Sequence, residues 1–210
     1  MAPAVTDGSN DPRTARTRGR LRAALLEACA DRPLDRIGVA DVVRGAGVGR
    51  ATFYLHYDDL RALAVDACAD VVREAVEALH AWDRTPPGPD APPQELVALL
   101  REIRGRAAVH RALLGPGGGG PLGELLHQEL RQYSLDELRR RRPEGSGHDL
   151  TASAVAGLFT GMLTDWVHDR TDATPEQLAG RIWRTLLAVH AAAVSQGQSR
   201  AATGPAAPLG

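Results

Sequence analysis

The sequence has 210 residues, 43% of them hydrophobic and 4% aromatic, with a formal net charge of −1 at pH 7. This length is enough for one domain, or for a small domain joined to a larger one, and a core made mostly of Ala, Leu and Val favours helices over strands. Two cysteines argue against a disulfide framework, and with no signal-peptide core and no apolar run of ~18–20 residues the composition indicates a soluble cytoplasmic protein rather than a secreted or membrane one.

Positive charge is concentrated in the N-terminal quarter of the chain. Residues 11–57 contain nine arginines and five acidic residues, a balance of +4, which leaves −5 for the rest of a chain whose net charge is −1. A basic head on an acidic body is typical of proteins that bind nucleic acid. Arg16, Arg18 and Arg20 crowd the start of the first predicted helix, where cations oppose the helix dipole. This cluster is either a solvated charged face or an arm that contacts phosphates.

Hydrophobic periodicity predicts an all-α fold with about nine helices. Apolar residues at spacings of three and four predict helices over residues 13–30, 39–46, 49–57, 59–82, 94–114, 122–142, 149–169 and 174–195. No segment has the alternating pattern of a half-buried strand. The predicted organisation is a disordered arm (1–12), a helix-turn-helix head (13–60), a regulatory and dimerisation body (61–196) and a disordered tail (197–210).

A candidate helix-turn-helix lies between Gly38 and Tyr57. Two short predicted helices flank the sequence Ala-Gly-Val at 46–48, and Gly47 can adopt the positive φ that such a turn requires without a steric penalty. Small, hydroxyl and basic side chains suit a helix that enters the major groove of DNA. The second helix is expected to present four such residues outward: Arg50, Ala51, Thr52 and Tyr54.

This stretch resembles the N-terminal domain of the TetR family of transcriptional regulators. The family motif reads approximately T-v-x-x-I-A-x-x-A-G-V-S-x-G-T-x-Y-x-H-F-x-x-K-x-x-L, and the resemblance covers residues 16–63. The chain supplies the motif at Val39, Val42, Ala46, Gly47, Val48, Thr52, Tyr54, His56, Tyr57 and Leu63. It departs from the motif at Gly38, where the family has a capping Thr, and at Leu60, where the family has a Lys.

The resemblance implies a repressor that binds a palindromic DNA operator as a homodimer and is released by a small, largely apolar effector. It implies no metal or other cofactor and no catalytic residues. The residues expected to contact DNA are Arg16, Arg18, Arg20, Gly38, Val39, Arg50, Ala51, Thr52, Tyr54, His56 and Tyr57. His56 is alternatively a packed residue at a helix end.

The last two predicted helices are apolar around much of their surface and therefore need a partner. The resemblance implies that they pair with their copies in a second chain. The residues expected at this dimer interface are Leu150, Val155, Gly157, Leu158, Gly161, Trp183, Leu186 and Leu187. The middle helices are expected to enclose an effector, although core packing is the more common role for side chains of this kind. The candidates are Trp82, Leu99, Ile103, His110, Leu114, Leu126, Tyr133, Phe159, Met162 and Trp166.

Three alternative functions compete with this hypothesis. An enzyme is disfavoured, because the glycines at 117–120 follow no strand and lack G-K-[ST], and the seven His show no zinc-binding spacing. A redox-responsive regulator would use Cys29 or Cys68, both on apolar helical stripes where an inert buried thiol is usual. The third alternative is a DNA-binding protein that has no small-molecule effector.

Overall fold

The computed structural model describes residues 12–80, 88, 90–141, 143 and 147–202. Within these residues the chain forms nine α-helices, one 3-10 turn at Leu34–Arg36 and no strand, which confirms the predicted all-α fold. The helices are α1 Pro12–Asp31, α2 Val39–Ala46, α3 Arg50–Tyr54, α4 Leu60–His80, α5 Gln94–Gly105, α6 Ala107–Leu114, α7 Pro121–Arg141, α8 His148–Val167 and α9 Pro175–Ala202.

The head consists of α1, α2 and α3 packed against the first turns of α4. Its core is formed by fully buried side chains from all four helices: Leu21, Leu25, Val42, Phe53 and Leu63. Asp59 caps α4, because its Oδ1 accepts a hydrogen bond from the backbone N–H of Ala62 at 2.7 Å. These contacts fix the short second and third helices on a scaffold made by the two long ones.

The body is a layered helical bundle in which α7 packs on α4 and α8, and α9 packs on α5 and α8. Trp166 and Trp183 are its largest fully buried side chains. The indole N–H of Trp166 donates to the carbonyl of Ala173 at 2.6 Å, and that of Trp183 donates to the carbonyl of Gly88 at 3.1 Å. Both buried indoles therefore have hydrogen-bond partners, as buried polar groups require.

A glycine-rich loop, residues 115–120, joins α6 to α7 and lies close to neighbouring backbone. A Cβ atom on Gly120 would collide with the carbonyl oxygen of Leu113, and one on Gly123 would collide with that of Gly118. The end of α8 holds the loop, because Nε2 of His168 donates to the carbonyl of Gly115 at 2.7 Å. Glycine is thus required here for close packing of backbone on backbone.

Three helix boundaries differ from the prediction. The single helix expected over 94–114 is broken at Arg106, which has φ −123° and ψ 36°, after the weak helix former Gly105. The second motif helix ends at Tyr54 rather than at residue 57, so His56 and Tyr57 lie in the turn that follows. The last helix continues to Ala202, past residue 195 and into the segment expected to be disordered.

By length and composition, α8 could also cross a membrane, although inspection of apolar runs predicted no such segment. Half of its most apolar window is buried inside the fold, where α8 packs against α7 and α9.

Candidate nucleic-acid interface

The turn between α2 and α3 has the geometry that the sequence predicts. Gly47 adopts φ 60° and ψ 40°, which confirms the expected positive φ. Its N–H donates to the carbonyl of Arg44 at 3.2 Å, and the N–H of Val48 donates to that of Val43 at 3.0 Å. These bonds satisfy the last carbonyls of α2, and Arg20 Nη2 adds a bond to the carbonyl of Gly47 at 3.2 Å.

Gly38 begins α2 without the side-chain acceptor of a capping Thr. Its own N–H donates to Oδ2 of Asp41 at 3.1 Å, which is half of a capping box. That bond, together with the guanidinium groups of Arg32 and Arg44, lowers the pKa of Asp41. The start of α2 is therefore held by an acidic side chain within the helix rather than by the residue before it.

Three of the four residues predicted to project from α3 are exposed. Arg50, Ala51 and Tyr54 are exposed and Thr52 is half-buried, whereas Phe53 is fully buried. Arg50 Nη2 donates to the Tyr54 hydroxyl at 3.5 Å, and its guanidinium lies 5.9 Å from the Tyr54 ring centroid. The two side chains thus form one polar ridge along the helix.

Leu55 is a surface residue that the sequence analysis missed. It is 82% exposed and directly follows α3. The sequence did contain a feature that could have identified it: Leu55 follows Ala51 by four residues, and this spacing places the two on one face of a helix. The family motif leaves this position undefined, so the resemblance gave no reason to select it.

Arg18 and Tyr57 bind to each other and to Asp66 within the head. The hydroxyl of Tyr57, a buried residue, donates to Asp66 Oδ2 at 2.5 Å, and Arg18 Nε donates to the same hydroxyl at 3.3 Å. Arg18 also pairs with Asp66 at 3.3 Å. Burial, followed by the hydrogen bond to Asp66, raises the pKa of Tyr57. The network joins α1, the segment after α3, and α4.

The remaining residues predicted to contact DNA are Arg16, Gly38, Val39 and His56. Arg16 is exposed and pairs with no acidic side chain among the residues that the structure describes. Gly38 is exposed, while Val39 and His56 are half-buried. Whether each of them touches DNA stays a prediction.

The predicted effector residues are packed together in the body. Six of them are nearly or completely buried in the hydrophobic core: Leu99, Ile103, Leu114, Leu126, Phe159 and Trp166. Tyr133 and Met162 are half-buried, and Trp82 lies outside the described residues. Because the buried members are 0–5% exposed, a ligand could lie among them only if the helices separated.

His110 is also buried, and its partners are backbone groups. Its Nδ1 donates to the carbonyls of Ile103 at 3.1 Å and Arg106 at 3.0 Å, across the break between α5 and α6. Burial lowers the pKa of His110, and these hydrogen bonds oppose that shift in part. The ring is therefore neutral and joins the two helices at their break.

An open groove of about 1150 Å³ lies elsewhere, where the head meets the body. It runs between the 3-10 turn, the start of α4, α6 and the glycine-rich loop. Its lining includes Cys29, Arg36, Leu60, Ala112 and Pro116. Four arginines and two aspartates line it, and three of these arginines, Arg32, Arg61 and Arg111, pair with acidic side chains outside the lining.

The predicted dimer residues divide into two groups. Leu150, Gly157 and Gly161 are exposed on α8, and Leu158 and Leu187 are half-buried. Val155, Trp183 and Leu186 instead face the core of their own chain and are 5% exposed or less. Leu150, Gly157 and Gly161 thus lie on an exposed face of α8, whereas Val155, Trp183 and Leu186 pack within the chain.

Burial makes both cysteines poor redox sensors. Cys29 and Cys68 are free, and each is 1% exposed. Burial raises the pKa of Cys29 to about 11 and that of Cys68 to about 12. Since the thiolate is the reactive form, neither thiol is activated near neutral pH, and nothing at these positions favours the redox alternative.

Known proteins are similar to this chain in its fold and in part of its sequence. No family model matches the sequence. The HTH-type transcriptional regulator EthR of Mycobacterium tuberculosis is 36% identical over 83 residues, which are 37% of this chain and 38% of EthR. The sequence match therefore spans well under half of that relative's length.

Solved structures share the fold over most of the chain. A TetR-family transcriptional regulator from Streptomyces coelicolor has a TM-score of 0.57 at 14% identity, covering 90% of this chain and 86% of that one. NalD of Pseudomonas aeruginosa, the secondary repressor of the MexAB-OprM multidrug efflux pump, has a TM-score of 0.56 at 16% identity, covering 84% and 97%. These similarities confirm the predicted resemblance in fold, and the relatives are transcriptional regulators rather than enzymes.

Proposed function

We propose that this chain, which has the fold and the head motif of TetR-family regulators, is a cytoplasmic DNA-binding transcriptional regulator that represses as a homodimer. The helix-turn-helix carries the proposal: Gly47 sets the turn, Phe53 anchors α3, and Arg50 and Tyr54 project from it. A helix held in this way by a second helix is the arrangement that enters the major groove.

The exposed face of α8 supports the homodimer. A Cβ atom on Gly161 would meet nothing within 4 Å, and one on Gly157 would reach only Cε1 of His127 at 3.9 Å. Packing within the chain therefore does not require glycine at either position, whereas close approach of a second helix would. A twofold dimer would also present two copies of α3 to a palindromic operator.

Effector control is the second part of the proposal. A largely apolar molecule that separates the body helices would bind among side chains such as Ile103, Leu126 and Phe159, which fill that space in the ligand-free chain. It would release DNA only if it bound the separated state more tightly than the packed one. Core packing at these positions remains the competing interpretation.

The DNA-binding proposal is tested by selecting duplexes from a random-sequence library with the full-length protein. We expect a palindromic sequence to be enriched, and Arg50→Gln to weaken binding to it by about 5- to 150-fold. Arg73→Gln is the matched control, because this exposed arginine lies roughly 20 Å along α4 from the head. Failure of the wild-type chain to enrich any sequence would contradict the proposal.

The dimer is tested by light scattering across a range of concentrations. We expect the wild-type protein in solution to have twice the mass of a single chain. Gly161→Trp should shift it to a monomer, because the indole would hold two α8 helices apart, whereas its effect on the single chain is small since the position is open. Gly161→Ala, which adds only one methyl group, should weaken the dimer much less than Gly161→Trp. A dimer that is equally stable with Trp would place the interface elsewhere.

A further inference from the structure

Two apolar side chains form a ridge on the outer face of α3. Leu55 is 82% exposed, the most exposed large hydrophobic side chain in the part of the chain that the structure describes. Its backbone is still helical, with φ −74° and ψ −18°, and its N–H donates to the carbonyl of Ala51 at 3.2 Å. Residues four apart on a helix are neighbours on one face, so Ala51 and Leu55 are adjacent. We call them the Ala51–Leu55 ridge.

This ridge lies beside the polar ridge of Arg50 and Tyr54. Phe53 anchors the opposite side of the helix in the head core, where it is fully buried. The Ala51–Leu55 ridge is consequently turned away from that core, and at 82% exposure the Leu55 side chain makes little contact with the rest of its own chain. The helix offers a polar edge and an apolar edge to one ligand.

We infer that the Ala51–Leu55 ridge reads the C5-methyl groups of thymines in the major groove, which makes Leu55 a specificity-determining residue. The inference rests on the proposed function and extends it to a base preference. On the major-groove edges of the four base pairs, thymine carries the apolar group, and the other edges present donors and acceptors. Against those edges Leu55 would displace water without forming a hydrogen bond, which is unfavourable.

Uracil provides a direct test, because it pairs as thymine does but lacks the methyl group. The DNA pool selected by the full-length protein is amplified with dTTP or with dUTP, and the affinity for each form is measured by fluorescence anisotropy. We expect uracil to weaken wild-type binding about fourfold for each methyl group contacted. We define the uracil penalty as the ratio of the affinity for thymine DNA to that for uracil DNA. Leu55→Ala should weaken binding to thymine DNA and bring this ratio close to 1.

Two controls test whether the contact between Leu55 and the thymine methyl groups causes this effect. Leu55→Met keeps an apolar side chain of similar size and should retain most of the uracil penalty. An unselected random pool should be bound equally in its thymine and uracil forms. Because Leu55 is exposed, neither substitution should change the melting temperature.

Two results would overturn the inference. One is equal wild-type affinity for thymine and uracil DNA. The other is a uracil penalty of the same size in Leu55→Ala, since the methyl groups would then be read by something else. A wild-type chain that selects no DNA at all contradicts the proposed function itself, and that result is seen before any uracil is introduced.

Discussion

The arginines of the head are not equivalent, although they are close in sequence. Arg16 is exposed and pairs with no acidic side chain among the residues that the structure describes, while Arg18 is bound to Asp66 and to the Tyr57 hydroxyl. Arg20 is intermediate, because it is exposed but donates to the carbonyl of Gly47. A free guanidinium can release counterions from DNA, whereas one already neutralised by a carboxylate contributes much less.

This difference predicts how two single substitutions affect binding. Arg16→Gln should reduce the slope of log affinity against log salt concentration by about 1, the value for one lost phosphate contact. Arg18→Gln should leave the slope nearly unchanged but lower the melting temperature, because Asp66 loses one of its two cationic partners and keeps the longer pair with Arg22 at 3.8 Å. Titrations at several salt concentrations give both slopes. Equal losses of slope in the two variants would show that Arg18 leaves Asp66 to contact DNA.

The sequence alone could not distinguish these arginines. The spacing of the motif predicts which face of α3 is exposed, because helical geometry fixes the direction of each side chain. The partner of Arg18 lies on α4, three helices further along the chain. A pairing of this kind depends on how the helices pack, and local periodicity carries no information about it.

At the scale of single helices, α2 begins in an incompletely capped state. Gly38 adopts φ −104° and ψ 160°, which any residue tolerates, and a Cβ atom there would contact only Asp41 and Ala40, at 3.8–4.0 Å. We expect Gly38→Ser to raise the free energy of unfolding by a few tenths of a kcal/mol, because serine adds an acceptor for the first N–H groups.

Gly38→Ala is the matched control for this substitution. It adds a Cβ atom without an acceptor, and alanine is a poorer helix cap than glycine, so this variant should be less stable than the wild type. Urea denaturation of both variants measures the difference. A serine variant no more stable than the alanine variant would show that Asp41 already provides all the capping that α2 needs.

The break between α5 and α6 should make stability depend on pH. Burial lowers the pKa of His110 below its ordinary value near 6.5, so the unfolded chain takes up this proton at a higher pH than the folded chain does. The free energy of unfolding should therefore fall as the pH drops below about 6.5. Above that pH the ring is neutral in both states and contributes no dependence.

His110→Asn tests this prediction with little change in shape. Its amide can still donate to the carbonyls of Ile103 and Arg106, but it does not titrate. Denaturation curves between pH 5 and pH 8 should be flatter for the variant than for the wild type. Identical pH dependence in the two proteins would assign the effect to other histidines.

Helix positions were predicted well where the apolar periodicity continues over many residues. They were predicted poorly where contacts with other parts of the chain interrupt a helix. The long helices α7 and α8 begin and end within about two residues of their predicted bounds. The break at Arg106 lies inside a continuous apolar pattern, and the bonds of the buried His110 span it. The short α3 ends early because Tyr57 turns back to reach Asp66 on α4.

Across the whole molecule, head and body share one hydrophobic core. The same cluster of buried residues runs from Leu21 and Phe53 in the head, through Leu63 and Leu79 of α4, to Phe159 in the body. The boundary predicted after residue 60 coincides with the first residue of α4, the helix that supplies both halves. An ion pair between Arg61 and Glu124 also joins the start of α4 to that of α7.

A continuous core means that head and body should lose their structure together. Calorimetry is expected to show one transition, in which the calorimetric enthalpy equals the van't Hoff enthalpy, rather than a separate early melting of the head. A fragment ending at residue 60 would lack the Leu63 and Ala64 side chains that complete the head core, and it should not fold by itself. The DNA-binding unit and the body would then be a single cooperative unit, so that a cavity made at Phe159 would lower the melting temperature of α3 as much as that of α8.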